Sequence, residues 1–181
     1  MTLETARLRL VPYAPADLLA LVESEAQFGG AFGQPAAAGL REFVVGPEVA
    51  PEWLAQLRAA ATADVWRHGF AVVHVAGGLV IGTVGFKGPP DDEASVEIGY
   101  GIVPAFNGQG YATEAAAAGV GFAFADPRVR RVLAHTMPQQ NASTRVLQKC
   151  RFDCVGEIND PEDGVVWRWQ RWRSDGDRVG E

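Results

Sequence analysis

Apolar and polar positions follow two periods along this chain, two residues in some runs and helical spacing in others, and the periods divide it into elements. Within residues 6–11, Arg7-Leu8-Arg9-Leu10-Val11 alternates and predicts a first strand. Residues 12–15 turn the chain, and Asp17-Leu18-Leu19-Ala20-Leu21-Val22 begins an amphipathic helix. Residues 29–39 are rich in Gly, Ala and Pro and predict a loop. Residues 51–66 predict a helix with Trp53, Leu54 and Leu57 on one stripe. Two strands at 70–75 and 79–86 flank Gly77-Gly78 as a hairpin, and a turn at 88–92 leads into a third. A long apolar helix then crosses over to a strand at 131–135, which must run parallel if it rejoins the same sheet. Asn141 predicts an N-cap for a further helix. Strands at 152–157 and 165–172 close the chain as a hairpin around an acidic turn, residues 159–164.

The most informative stretch is 95–126. Val96, Ile98, Tyr100 and Ile102 share one face of its strand, and Glu97, Gly99 and Gly101 share the other. The first face suits a core. The second is nearly bare, with Glu97 as its charged group. Pro104 stops the strand, and Asn107-Gly108-Gln109-Gly110 turns the chain into a helix from Tyr111 that ends at Asp126-Pro127. A strand, a glycine-rich turn and a helix N-terminus suit an anion, because the first helical N–H groups have no partner inside the helix. The G-x-x-x-x-G-K-[ST] phosphate loop is absent, and Thr113 stands where a dinucleotide fingerprint needs its third glycine. A tight strand-to-helix turn without a ligand explains the two glycines equally well.

Here the residues carry a resemblance. Asn107-Gly108-Gln109-Gly110-Tyr111-Ala112-Thr113-Glu114-Ala115 resembles the acyl-CoA loop of the GNAT N-acetyltransferases, with the YATEA continuation similar to the RimJ/RimL branch. A second block, from His135-Thr136-Met137-Pro138 through Asn141 to Cys150-Arg151-Phe152, is similar to the same branch. The resemblance spans residues 5–170 and departs at two places. Asn107 stands where the family usually has Gln or Arg, and Arg151 where it usually has Gly. The second position is a turn needing positive φ, so strain is expected there. The resemblance implies an α/β fold of GNAT type: a mixed parallel and antiparallel sheet flanked by helices, split between the strands at 95–103 and 131–136. It implies one acetyltransferase domain over 1–173, a polar tail at 174–181, and acetyl-CoA as co-substrate.

Composition narrows the partners. The 181 residues suit one domain of roughly 100–200 residues. A net charge of −6 disfavours nucleic acid and anionic membranes and is compatible with a cationic acceptor. No signal-peptide pattern opens the chain, and no apolar run approaches the roughly 20 residues of a membrane span. Two cysteines without a secretory signal suggest a cytoplasmic protein with free thiols. Cys150 and Cys154 are expected as buried small hydrophobes, with no metal site.

Acetyl transfer requires a held cofactor, a neutral amine, a stabilised oxyanion and a tolerable thiolate. The backbone amides of Gln109, Gly110, Tyr111 and Ala112 are the candidates for an anion, and the resemblance puts pyrophosphate there, beside Asn107 and Gly108. By the same resemblance Ile102 and Val103 offer main-chain groups to the pantetheine arm, with the glycine-lined strand face giving it room. Asn141 bonds that arm or simply caps its helix. Arg145 and Lys149, one turn apart, meet the ribose phosphate or only solvent. Glu97 is the candidate general base, against the alternative of a structural carboxylate. The helix from Asn141 contains no tyrosine to protonate the thiolate, and Ser143 is its nearest hydroxyl. His68, His74 and His135 read as structural, His135 nearest the cleft. The acidic turn attracts a cationic amine or is merely solvated. Trp167 and Trp169 share a face as core, subunit contact or substrate wall. The acceptor stays open between a protein N-terminal α-amine and a small-molecule amine, as does a homodimer. A non-catalytic acyl-CoA-binding protein and an unrelated nucleotide-binding domain are the rival readings.

Overall fold

Strand β1 (Leu3–Glu4) pairs antiparallel with β2 (Leu8–Pro12), and four helices follow: α1 (Pro15–Glu23), α2 (Glu25–Phe32), α3 (Leu40–Val44) and α4 (Pro51–Ala59). A short α5 (Val65–His68) leads into β3 (Phe70–His74), β4 (Leu79–Phe86) and β5 (Ser95–Ile102). After a 3₁₀ turn at Pro104–Phe106 come α6 (Tyr111–Ala125), β6 (Arg131–Thr136), α7 (Ala142–Lys149), β7 (Asp153–Asp160) and β8 (Gly164–Trp172). This computed structural model describes residues 1–161 and 163–174. Glu162 of the acidic turn and the tail beyond Ser174 lie outside the described residues.

Among those residues the strands form one sheet in the order β1-β2-β3-β4-β5-β6-β8-β7. Pairing is antiparallel except between β5 and β6. There Ser95, Val96 and Glu97 face Arg131, Val132 and Leu133, and no later pair continues the ladder among the described residues. The sheet is therefore mixed and split where the resemblance implied. Helix α6 makes the crossover, packing on the apolar face of β5. A Cβ at Gly119 would lie 2.6 Å from Val84 Cγ1 and 3.0 Å from Ile98 Cδ1, so this helix approaches the sheet as closely as only glycine allows. Val96, Ile98 and Ile102 are buried there, as their alternation predicts.

Four sequence expectations change. Residues 29–32 are helical rather than loop: Ser24 caps α2 through Gln27 N–H, Gly33 closes it at φ 81°, and Phe28 stacks on Phe32 at 5.0 Å. Helix 51–66 is two helices, because the chain leaves helical geometry at Ala60 and Asp64 starts α5 by accepting from Trp66 N–H. Cys154 is exposed on the outer strand β7, whereas Cys150 is buried. The bare face of β5 is partly covered: a Cβ at Gly101 would fall 2.0 Å from Phe43 Cζ. Arg151 takes φ 62°, inside a motif where Phe152 N–H bonds Leu147 O and Arg151 N–H bonds Gln148 O.

Candidate functional site

Two cavities lie along β5, one near each end. The first, about 280 Å³, is a cleft between the glycine loop and α7, lined by Ile102, Phe106, Asn107, Gly108, Gly110, Tyr111, Ala112, Thr113, Ala142, Arg145, Val146 and Lys149. Gly108 and Gly110 hold φ of 77° and 84°, and a Cβ at Gly108 would meet no atom within 4 Å. Gly110 is the N-cap of α6 and carries no side-chain cap, so the first N–H groups of that helix stay available at the loop. Arg145 and Lys149 set two cations on the opposite wall. The chemistry is that of an anion site with an apolar extension along Ile102 and Val146.

An element far away in sequence anchors this loop. The Arg7 guanidinium donates to Gln109 O at 2.9 Å, lies 4.5 Å over the Tyr111 ring, and pairs with Glu114 at 2.7 Å. Glu114 also accepts from Thr5 Oγ1 at 2.6 Å and from Arg7 N–H at 2.8 Å. Burial alone would push the Glu114 carboxyl up, but the bonds from Thr5 and Arg7 outweigh it and hold it below its ordinary range. Arg7 carries no motif and pairs with a residue 107 positions on, so only the structure shows it.

The second cavity, about 450 Å³, lies over the Glu97 face of the sheet. Its floor includes Thr83, Gly85, Lys87, Glu97 and Gly99, and its walls include Leu18, Phe43, Val44, Trp53, Arg67 and His68. The glycine face, which the resemblance gives to the cofactor arm, thus opens toward this cavity. Glu97 Oε1 is 3.2 Å from Lys87 Nζ and 3.1 Å from His135 Nδ1. On the far side of the ring, Arg168 Nε donates to His135 Nε2 at 3.1 Å. Arginine only donates, so Nε2 is the acceptor and Nδ1 carries the proton given to Glu97. His135 is thus a neutral spacer that orients the carboxylate. Lys87 also lies 3.8 Å from Asp163, which brings the acidic turn to this end of the cavity. Burial lowers the pKa of Lys87, but its bond to Glu97 and the charges of Glu97, Asp163 and Asp160 raise it further.

The remaining candidates separate. Val103 has its N–H on Ile81 O at 2.8 Å and its carbonyl accepting from Phe106 N–H at 3.0 Å, which leaves the second lone pair of that carbonyl as its remaining main-chain acceptor. Gln109, within the loop, accepts from the Arg7 guanidinium through its carbonyl. Asn141 Oδ1 accepts from Thr144 N–H at 3.0 Å and serves as the cap. Ser143 is bound to Tyr100, whose hydroxyl lies 3.1 Å from Ser143 O and 3.2 Å from Ser143 Oγ. Burial, partly offset by the bond to Ser143, pushes the Tyr100 phenol up to about 12. Alternation had assigned Tyr100 to the core. The signal available was its type: a tyrosine among aliphatic residues brings a polar end that needs a partner. Trp169 is buried with its N–H on Thr136 Oγ1 at 3.0 Å. Among the described residues no three His, Cys, Asp or Glu side chains group as metal ligands, and no helix is long and apolar enough to cross a membrane.

A family model described as an acetyltransferase (GNAT) domain matches residues 7–153. Similar folds recur among solved structures. The ribosomal-protein-S5-alanine acetyltransferase of Vibrio fischeri is 16% identical, with 97% of this chain and 98% of that one covered and a TM-score of 0.67. RimL, a ribosomal L7/L12 alpha-N-protein acetyltransferase solved in complex with coenzyme A, is 17% identical over 95% of this chain and 98% of its own, at a TM-score of 0.64. An acetyltransferase from Agrobacterium tumefaciens is 24% identical over 96% and 95%, at 0.63. No curated protein matches the chain.

Proposed function

The chain belongs to the GNAT acetyltransferase family, and from that premise we propose that it moves acetyl from acetyl-CoA directly to the α-amine of a polypeptide N-terminus. The observation that carries the reading is one strand, β5, with the loop cleft at Ile102 and the Glu97 carboxylate in a separate cavity five residues away. At about 3.4 Å per residue that separates them by roughly 17 Å, a span for an extended acyl arm rather than for a compact nucleotide. The cleft residues fit an acyl-CoA: open space beside Gly108, uncapped helix N–H groups and two cations suit a pyrophosphate. Asn107, Gly108, Gly110, Tyr111 and Ala112 would hold it with Arg145 and Lys149. Bound there, acetyl-CoA supplies the activated acyl group.

This chain's residues then divide the work. Glu97, oriented by His135, takes the proton the amine gives up as its nitrogen bonds the acyl carbon. Ser143 stands at the first turn of α7, beside the cleft, where the thiolate departs. The single domain over 1–173 belongs to the same proposal. A polypeptide acceptor is supported by the shape beyond Glu97. Trp53, Arg67 and His68 line both the second cavity and a third of about 370 Å³ that continues to Ala60, Ala61 and Thr62. A chain leaving the amine has a path there, and two of the structural relatives are described as acetylating ribosomal proteins. Nothing among the described residues favours a non-catalytic acyl-CoA-binding protein.

Incubation with acetyl-CoA and a panel of short peptides, polyamines and amino acids, read by mass spectrometry, tests the acceptor. Acetate on peptide α-amines supports the proposal. Turnover confined to small amines would reassign the acceptor, and no binding of acetyl-CoA would overturn the reading.

A further inference from the structure

A cation stands beside the proposed base, and the fold puts it there. Lys87 directly follows β4, and its main-chain N–H donates to Glu97 O at 3.0 Å, so the two residues face each other across the antiparallel β4–β5 pair. Residues facing across a pair of strands project from the same side of the sheet. Lys87 Nζ lies 3.2 Å from Glu97 Oε1, and both side chains line the second cavity. Asp163, in the acidic turn, lies 3.8 Å from the same nitrogen. Burial works against the charge of Lys87, but the bond to Glu97 and the charges of Glu97, Asp163 and Asp160 outweigh it, so an ammonium is held there. The neighbouring groups do not duplicate this charge. His135 meets Glu97 as a neutral ring with Arg168 behind it, and burial lowers the pKa of His68. Arg67, on α5, is 65% exposed and pairs with Asp64 at 3.3 Å.

We propose that Lys87 determines acceptor specificity: an ammonium fixed beside Glu97 admits an amine that arrives neutral and turns away one that arrives charged. The inference rests on the acetyl-transfer reading, in which the acceptor nitrogen must come within about 3.2 Å of the Glu97 carboxylate. Lys87 Nζ already stands at that distance from it. The two nitrogens therefore lie within roughly 9 Å of each other, inside the Debye length of about 10 Å at 0.1 M salt. An α-amine, with an ordinary pKa of about 7.7–8.0, is largely neutral near pH 8, whereas a lysine side chain, near 10.4, stays cationic. The cationic amine meets like charge in the cavity and must shed a proton against it. The acidic turn then serves to hold an internal cation, not to recruit one from the acceptor. Lys87 keeps its proton through the transfer. As the acceptor nitrogen bonds the acyl carbon, the C–S electron pair goes to sulfur and the acceptor's proton goes to Glu97.

The test uses two peptides of one sequence, each offering a single amine: a free N-terminal α-amine with its lysine blocked, or a free lysine ε-amine with its N-terminus blocked. Thiol release at saturating acetyl-CoA near pH 8 gives kcat/KM for each. Both acceptors meet the same base and the same cofactor, so the effect of a variant on either divides out of the ε-to-α ratio. The parent should prefer the α-amine. Lys87→Met, which keeps the length of the side chain without its charge, should raise the ratio about tenfold, the scale of one like-charge contact at a half-exposed site. Lys87→Arg should keep the parent ratio. Raising salt from about 0.05 to 0.5 M should raise the ratio in the parent, an arm that needs no variant to fold, and leave it unchanged in Lys87→Met. A ratio that neither Lys87→Met nor salt moves would overturn the assignment, as would a parent that prefers the ε-amine. Failure of the parent to acetylate either peptide would instead remove the acetyl-transfer reading itself.

Discussion

Replacing Glu114 by Gln should loosen the cofactor loop from a distance. The carboxylate accepts from Thr5 Oγ1 at 2.6 Å, Arg7 N–H at 2.8 Å and Arg7 Nε at 2.7 Å, and its side chain is 17% exposed. Charge-assisted bonds of this kind are worth about 1.5–3 kcal/mol each when well shielded. Arg7, however, is 45% exposed, so solvent screening reduces the ion-pair share. Gln still accepts from Thr5 and the Arg7 amide while losing the charge. The net cost is on the order of 1–2 kcal/mol of stability. Because Arg7 also holds Gln109 O, acetyl-CoA affinity should fall several-fold while turnover at saturation changes little. Urea unfolding and calorimetry read the two effects separately. The pH sign follows from a carboxyl held below its ordinary value: its stabilisation is present above the unfolded value near 4.5 and is lost as pH falls through the folded value. Glu114→Gln should therefore flatten the acid limb of the stability profile. Full stability with unchanged cofactor affinity would refute the clamp.

Two further outcomes follow from local geometry. Arg151→Gly should stabilise the protein by about 0.5–1 kcal/mol in urea unfolding, because relief of a left-handed residue exceeds the entropy that glycine adds to the unfolded chain. Arg151→Ala, equally strained, should gain nothing. Thiol titration should find Cys154 reactive in the native protein. Cys150, whose thiol burial pushes up despite the nearby Arg171 charge, should react only on unfolding. Equal rates for both would contradict their placement.

What the sequence made legible is what local pattern encodes. The alternation of 95–103, the stop at Pro104 and the glycine turn into Tyr111 predict β5, the loop and α6, whereas the split of the sheet was implied by the family resemblance. Asn141 as cap is local in the same way. The front third was misread where tertiary packing overrides composition: Gly29 and Gly30 read as breakers, yet Ser24, Gly33 and the Phe28–Phe32 stack make that segment helix α2. The insertion of β8 between β6 and β7 is a matter of strand order that no periodicity records. At the site, Glu97 was legible as the charged group on a bare face. Its surroundings were not, since Lys87, His135, Arg168 and the covering Phe43 come from four other parts of the chain. Arg7 and Tyr100 were missed for the same reason, their partners lying 107 and 43 positions away.

The central claim is tested most directly by Glu97→Gln, measured for acetyl-CoA affinity and for steady-state acetylation of a peptide α-amine. Gln keeps an oxygen for the Nδ1–H of His135 and removes the proton acceptor. The expected result is an affinity within about twofold of the parent and a kcat/KM lower by roughly 10²–10⁴, the usual contribution of a general base. Parent-like turnover in Glu97→Gln would contradict the claim, leaving Glu97 as a structural partner of Lys87 and His135.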